Sequence, residues 1–244
     1  MRDQKHCFAI YCGVLKKNNI LKICDLQIVE RVTKILRLQV GDQLTLFNQQ
    51  LVASGTLDFI DKKSFNLVNI VWQENVDLKP EISVSLGVLK KENFENALYS
   101  CVELGANQIA PIIFAKSVPL KLNSYRIQKI LVAASEQSKN FKMPVFQEPV
   151  LFDKFLSQIK KNPETVYLHC DVNGLDMFNF VASIKEQKTQ QLVLIIGPEG
   201  DLTGPEKELL LAQPNVIFMR LTPTVLRSFQ AVTVALGALR SLLP

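Results

Sequence analysis

The sequence predicts an α/β protein in two parts: a small β-rich domain over residues 1–74 and, over 80–244, a mostly parallel sheet covered by helices. Three observations carry this. Apolar runs of strand length, separated by short turns, fill much of the N-terminal part. The segment NVDLKP at 75–80 is short and polar, and Pro80 disfavours helix for the residue before it. Beyond it, apolar runs alternate with segments of helical periodicity.

In the first domain, Phe8, Ile10 and Cys12 alternate with Ala9, Tyr11 and Gly13, which is strand spacing. Asp25 is placed to cap a helix whose apolar positions are Leu26, Val29, Val32 and Leu36. Runs at 43–48, 52–60 and 64–71 give strands of similar length with short turns, the pattern of a compact barrel. In the second domain the order is a strand at 82–89, a helix at 92–104, a strand at 108–113, helices at 124–139 and 152–161, a strand at 165–170 and a helix at 175–186.

Two strand–loop–helix units close the series. The first begins at Leu192, breaks from Val193, Leu194, Ile195 and Ile196 into Gly197, Pro198, Glu199 and Gly200, and then enters a helix. Thr203 with Glu206 forms a capping box there, and Pro205 sits in a first turn that does not need its missing N–H. The second runs from a strand at 216–219 through Leu221, Thr222, Pro223, Thr224, Val225, Leu226 and Arg227 to a helix rich in small apolar residues from Ser228. Ligands bind at the carboxyl ends of strands in open α/β sheets. The candidate ligand site is therefore Ile196, Gly197, Pro198, Glu199 and Gly200 with Leu221, Pro223, Val225 and Leu226, combining backbone polar groups with an aliphatic wall.

Composition narrows the function classes. A chain of 244 residues that is 48% hydrophobic with only 10 Gly and 11 Pro is globular rather than disordered. The net charge of +5 fits a polyanion as partner without requiring one. Five cysteines, with no C-x-x-C pair, argue against both a disulfide framework and a zinc site. His6 and His169 lie far apart and read as structural. No run approaches the ~18 apolar residues of a membrane span, so a soluble, cytoplasmic protein is expected. Neither a P-loop nor a G-x-G-x-x-G fingerprint is present.

The segments IIGPEG (195–200) and L-x-P-x-V-L-R (221–227) are preceded, in order, by KILRLQVGD (34–42), LFN (46–48), LKKENFENALYSCVELGANQIAPI (89–112), KSV (116–118) and ASEQSKNFKMP (134–144). Together they resemble the RsmE-type 16S ribosomal RNA uridine-N3 methyltransferases of the SPOUT class, over nearly the whole chain. The resemblance implies a PUA-like RNA-binding barrel for 1–74 and a trefoil-knotted α/β domain for 80–244. It also implies S-adenosylmethionine as cofactor, 16S ribosomal RNA of the small subunit as substrate, and no metal. A homodimer is implied as well, and the helix 231–243 presents Val232, Ala235, Leu236, Leu239 and Leu243 at helical spacing.

The chain departs from the family pattern where Asp201 follows GPEG in place of glycine. Thr222, Thr224, Phe229 and Gln230 stand for Gly, Arg, Glu and Thr, and Lys116 and Asn140 for arginines. If these changes closed the pocket, the same scaffold would be an RNA-binding or ribosome-assembly protein.

Methyl transfer depends on positioning, but N3 of uracil must also lose a proton. Arg227 is the candidate catalytic residue, its planar guanidinium stabilising the uracil anion; the other reading of the same residue is a phosphate clamp. Glu199 either contacts the cofactor or orders its loop. Arg31, Lys34, Arg37, Lys90, Lys116 and Lys139 are the expected RNA contacts.

Overall fold

The computed structural model describes residues 7–119, 121–177, 179–182 and 191–243. They form two compact units, residues 7–76 with Ser135–Lys142, and 77–134 with 143–243. The sequence reading kept 80–244 together, whereas the stretch Ser135–Lys142 clusters with the N-terminal unit.

In the first unit, strands β1 (Phe8–Tyr11), β2 (Leu21–Ile23), β3 (Gln43–Phe47), β4 (Leu51–Ile60) and β5 (Phe65–Glu74) make one sheet in the order β1-β3-β4-β5-β2. The β1–β3 pairing is parallel and the others antiparallel. Its core gathers Ile10, Val29, Val32, Leu44, Leu46, Leu57, Phe65 and Leu67, all without exposed surface. Helix α1 (Leu26–Glu30) starts where expected, because the Asp25 carboxylate accepts from the N–H groups of Gln27 and Ile28.

The helix then widens into a π-helical turn, Arg31–Ile35, with Leu36 N–H donating to Arg31 O. The sequence pattern placed Leu26 on the buried face, but Leu26 is 61% exposed and Ile28 is buried instead. Glu136 accepts two hydrogen bonds from the Arg31 guanidinium, at 2.8 and 2.5 Å, and one from Tyr11 N–H.

The second unit carries a seven-stranded sheet in which every pairing is parallel. Its strands are β6 (Glu81–Gly87), β7 (Gln108–Ile113), β8 (Val145–Phe146), β9 (Val150–Leu151), β10 (Val166–Asp176), β11 (Gln191–Ile196) and β12 (Val216–Arg220). The path is β12-β10-β11-β6-β7-β8, and β9 also pairs with β7. Ile82, Val84, Leu86, Leu192, Leu194 and Ile195 are buried, as a sheet covered on both faces requires.

The accompanying helices are α2 (Lys91–Glu103), α3 (Ser124–Ser138, whose last residues belong to the first unit), α4 (Phe152–Lys161), α5 (Gly204–Leu211) and α6 (Ser228–Leu242). Thr203 and Glu206 form the expected capping box at α5, with proline in its first turn.

Two expectations are corrected here. Strand β10 does not stop at Cys170 but continues to Asp176 through a register shift between Cys170 and Leu175, and helix begins only after it. Gly174 permits this: a Cβ there would lie 2.5 Å from the backbone of Phe218 and Met219. The end of the expected 175–186 helix falls outside the described residues. The stripe Val232, Ala235, Leu236, Leu239 and Leu243 is buried within the chain's own core, so it is not free to pair with a second copy.

Candidate ligand site

Two loops that follow β11 and β12, and a third formed by the bulge at 170–174 within β10, converge on a cavity of about 520 Å3. Of the nominated residues, Ile196, Gly197, Pro198, Glu199, Leu221, Val225, Leu226 and Arg227 line it, and Gly200 and Pro223 do not. The third loop, 170–174, was missed. It contributes Cys170, Asp171, Val172 and Asn173, and His169 at the end of the regular strand joins them. An apolar run ending in His-Cys-Asp-Val-Asn-Gly was its sequence signal, but reading 175 onward as helix hid the bulge.

Loop 197–202 is tightly seated. A Cβ on Gly87 at the end of β6 would lie 2.6 Å from Pro198 N, so the loop approaches that strand end at backbone distance. Asp201 N–H donates to Pro198 O, closing a turn in which Asp201 takes φ 59°. Glu199 Oε1 accepts from Lys90 N–H at 3.0 Å and Asn93 Nδ2 at 2.8 Å. Lys90 is the N-cap residue of α2 and offers no side-chain cap, so the Glu199 carboxylate meets the positive end of that helix. Of its two expected roles, loop ordering is the one visible in these contacts.

On the other side, Lys116 Nζ donates to Gly200 O at 2.9 Å and Leu202 O at 3.4 Å. Glu206 Oε2 accepts from Thr203 N–H and Oγ1, and its Oε1 from Ala115 N–H at 2.8 Å. Burial opposes ionisation of Glu206, yet these donors outweigh it and hold the carboxyl below its ordinary range.

Lys207, one residue on, bridges two carboxylates, Asp171 at 2.7 Å and Asp201 at 2.8 Å. Desolvation works against its charge, but the hydrogen bonds it donates to Asp171 and Asp201 keep the ammonium above the ordinary lysine range. His169 Nδ1 lies 3.3 Å from Ile195 O, its ring meets Phe218 edge-on, and its buried Nε2 has no partner among the described residues. Burial depresses its pKa, so the ring is neutral at pH 7. The Cys170 thiol, pushed up to about 12 by burial, is protonated and unreactive there.

Loop 221–227 is held locally. Thr222 Oγ1 donates to Thr224 O at 2.6 Å, and Ala231 N–H donates to Arg227 O as α6 begins. Arg227 is exposed and lines the cavity, its side chain making no hydrogen bond or ion pair among the described residues.

The expected RNA contacts do not share one environment. Arg31 is engaged by Glu136, and Lys34 pairs with Glu30 at 2.7 Å. Lys116, also exposed, donates to the loop carbonyls. Arg37, Lys90 and Lys139 are exposed, Arg37 and Lys139 with left-handed backbones at φ 53° and 60°. No helix among the described residues is long and apolar enough to cross a membrane.

Residues 77–240 match the family model of the RNA methyltransferase domain. The chain is 30% identical over 217 residues to ribosomal RNA small subunit methyltransferase E of Synechocystis sp., covering 86% of this chain and 69% of that protein. It is 24% identical over 239 residues to the protein of the same name from Rickettsia conorii, covering 93% and 92%. In fold it matches ribosomal RNA small subunit methyltransferase E from Neisseria gonorrhoeae, solved bound to S-adenosyl methionine, with a TM-score of 0.81, 21% identity and coverage of 97% and 98%. With two thirds of its length inside the family model and relatives of one name along the rest, this chain belongs to the RNA methyltransferase family that includes ribosomal RNA small subunit methyltransferase E.

Proposed function

We propose that this protein methylates N3 of a uridine in the 16S RNA of the small ribosomal subunit, with S-adenosylmethionine as methyl donor, in the cytoplasm. The observation that carries the reading is the convergence of the loops after β11 and β12 and the bulge of β10 on one cavity that Arg227 also lines.

The residues present fit the cofactor. The volume lies within the ~300 to 1,000 Å3 of small-molecule sites, Leu221, Val225 and Leu226 offer an apolar wall, and the unpartnered His169 Nε2 can meet a ligand hydroxyl or amine. Asp201, Thr222 and Thr224 line the cavity without closing it, and Phe229 is not among its lining residues, which favours an enzyme over an RNA-binding protein with a blocked pocket.

S-adenosylmethionine supplies an electrophilic methyl group on a sulfonium. The backbone of 197–202, fixed by Glu199, Lys116 and Lys207, would orient the ligand, and Arg227 would stabilise the negative charge on uracil as N3 gives its proton to water before taking the methyl group. We further read the unit of residues 7–76 with Ser135–Lys142 as the PUA-like RNA-binding unit, with Arg37 and Lys34 among its phosphate contacts, the unit of 77–134 with 143–243 as the knotted SPOUT domain, and the active form as a homodimer. All three rest on the family resemblance.

The test is calorimetric titration of the full chain with S-adenosylmethionine, followed by single-turnover methylation of small-subunit RNA and nucleoside mass spectrometry for 3-methyluridine. Heat and the 3-methyl product are expected. No heat and no thermal shift at about millimolar cofactor would leave an RNA-binding protein.

A further inference from the structure

One wall of the cavity holds an ammonium between two carboxylates, and each carboxylate also folds its own loop. Asp171 Oδ1 accepts from Asn173 N–H at 2.9 Å while Oδ2 takes Lys207 Nζ. Asp201 Oδ1 accepts from Leu202 N–H at 2.7 Å while Oδ2 lies 2.8 Å from the same Nζ. Two loops on neighbouring strands are thus joined through one lysine. That lysine stands on α5, whose first turn is fixed by the Thr203–Glu206 box and by Glu206 to Ala115 N–H.

Asp201 holds a backbone conformation, φ 59°, that suits glycine better. Its side chain supplies what glycine lacks, an arm to Lys207. The Asp171 side chain is 8% exposed against 60% for Asp201, so the Asp171 arm is less screened and the stronger. All three residues line the cavity.

We propose that Lys207 is a positioning residue for S-adenosylmethionine, stapling loop 170–174 to loop 197–202 so that the cavity is formed before the cofactor arrives. The proposal rests on the cavity being the cofactor site. Preformed loops need no ordering when the ligand binds, so the effect of the staple falls on affinity and not on the rate at saturation.

The experiment compares the full-length parent, Lys207→Met, Lys207→Arg and Asp201→Gly by cofactor calorimetry and by single-turnover methylation at saturating cofactor. Lys207→Met is expected to weaken cofactor binding about tenfold or more while the saturated rate stays within about threefold; Lys207→Arg, which keeps the cation, recovers most of the loss. Asp201→Gly removes one arm and accepts the backbone angle, so it reports even where Lys207→Met fails to fold, and a smaller loss is expected. Adding Lys207→Met to Asp201→Gly should cost less than it does alone, because the two share a contact.

Parent-like affinity in either Lys207→Met or Asp201→Gly overturns the proposal, as does a fall in saturated rate with affinity intact. A parent that binds no cofactor removes the underlying reading, an outcome recognisable without any variant.

Discussion

Loop 197–202 is fixed by side chains from three other elements: Asn93 on α2, Lys116 beyond β7 and Lys207 on α5. Loop 221–227, across the same cavity, has only local hydrogen bonds among the described residues, and its Val225 is 82% exposed. Both loops follow a parallel strand and precede a helix, so topology does not explain the contrast. The number of partners does: a loop with carbonyls and both carboxylates engaged by other elements presents a preset surface, whereas a loop closed on itself can adjust to what it meets. On the function proposed above, the first loop would set where the cofactor sits, and the second would carry the group that answers to the RNA.

The most severe way to break the comparison is Arg227→Ala. Loss of one stabilising donor is worth ~10² to 10³ in rate, so single-turnover methylation should fall by that factor while cofactor affinity stays within a few fold. Arg227→Lys should fail as well, since a point ammonium does not reproduce the planar fork. Loss of RNA binding in proportion to rate would make the residue a phosphate clamp.

Next in size is Glu206→Ala, on the tied side. It strands the N–H groups of Ala115 and Thr203, and a destabilisation of about 2 kcal/mol is expected in denaturant melts. A change under about 0.5 kcal/mol would show that the loop is held without it.

A smaller effect concerns pH. Burial lowers the folded-state pKa of His169, so the unfolded chain binds its proton more readily. The contribution of the neutral ring to stability is therefore full above the unfolded value of about 6.5 and is lost as pH falls through that value toward the folded one. Thermal melts between about pH 8 and pH 5 should show this loss in the parent and a flatter profile in His169→Gln; parallel profiles would place the acid sensitivity elsewhere. Smallest of all, Val225→Ala should leave stability within about 0.5 kcal/mol of the parent, and a larger loss would mean that the second loop is packed after all.

Elements with a local cause were legible in the sequence. The capping box of α5 and the Asp25 cap of α1 depend on residues within one turn, and both form as the spacing requires. The parallel sheet followed from strand–helix alternation, and the two C-terminal loops from the glycine and proline that break their strands. What escaped depends on distances through space. Glu136 takes Arg31 from 105 residues away, a pairing within the N-terminal unit that no spacing along the chain announces. The face that packs inward carries Ile28, Val29 and Val32, and which of two possible apolar faces is buried is decided by the sheet beneath it, so periodicity alone misplaced Leu26.

The third loop was hidden because a strand that bulges and resumes has no fixed period, and Lys207 is unremarkable until Asp171, 36 residues earlier, is brought to its side. The sequence by itself determined which strands, caps and turns exist, because these are decided by neighbours along the chain. Which charges are paired and which, like Arg227, have no partner among the described residues was decided only by the tertiary structure, since pairing depends on proximity that folding alone creates.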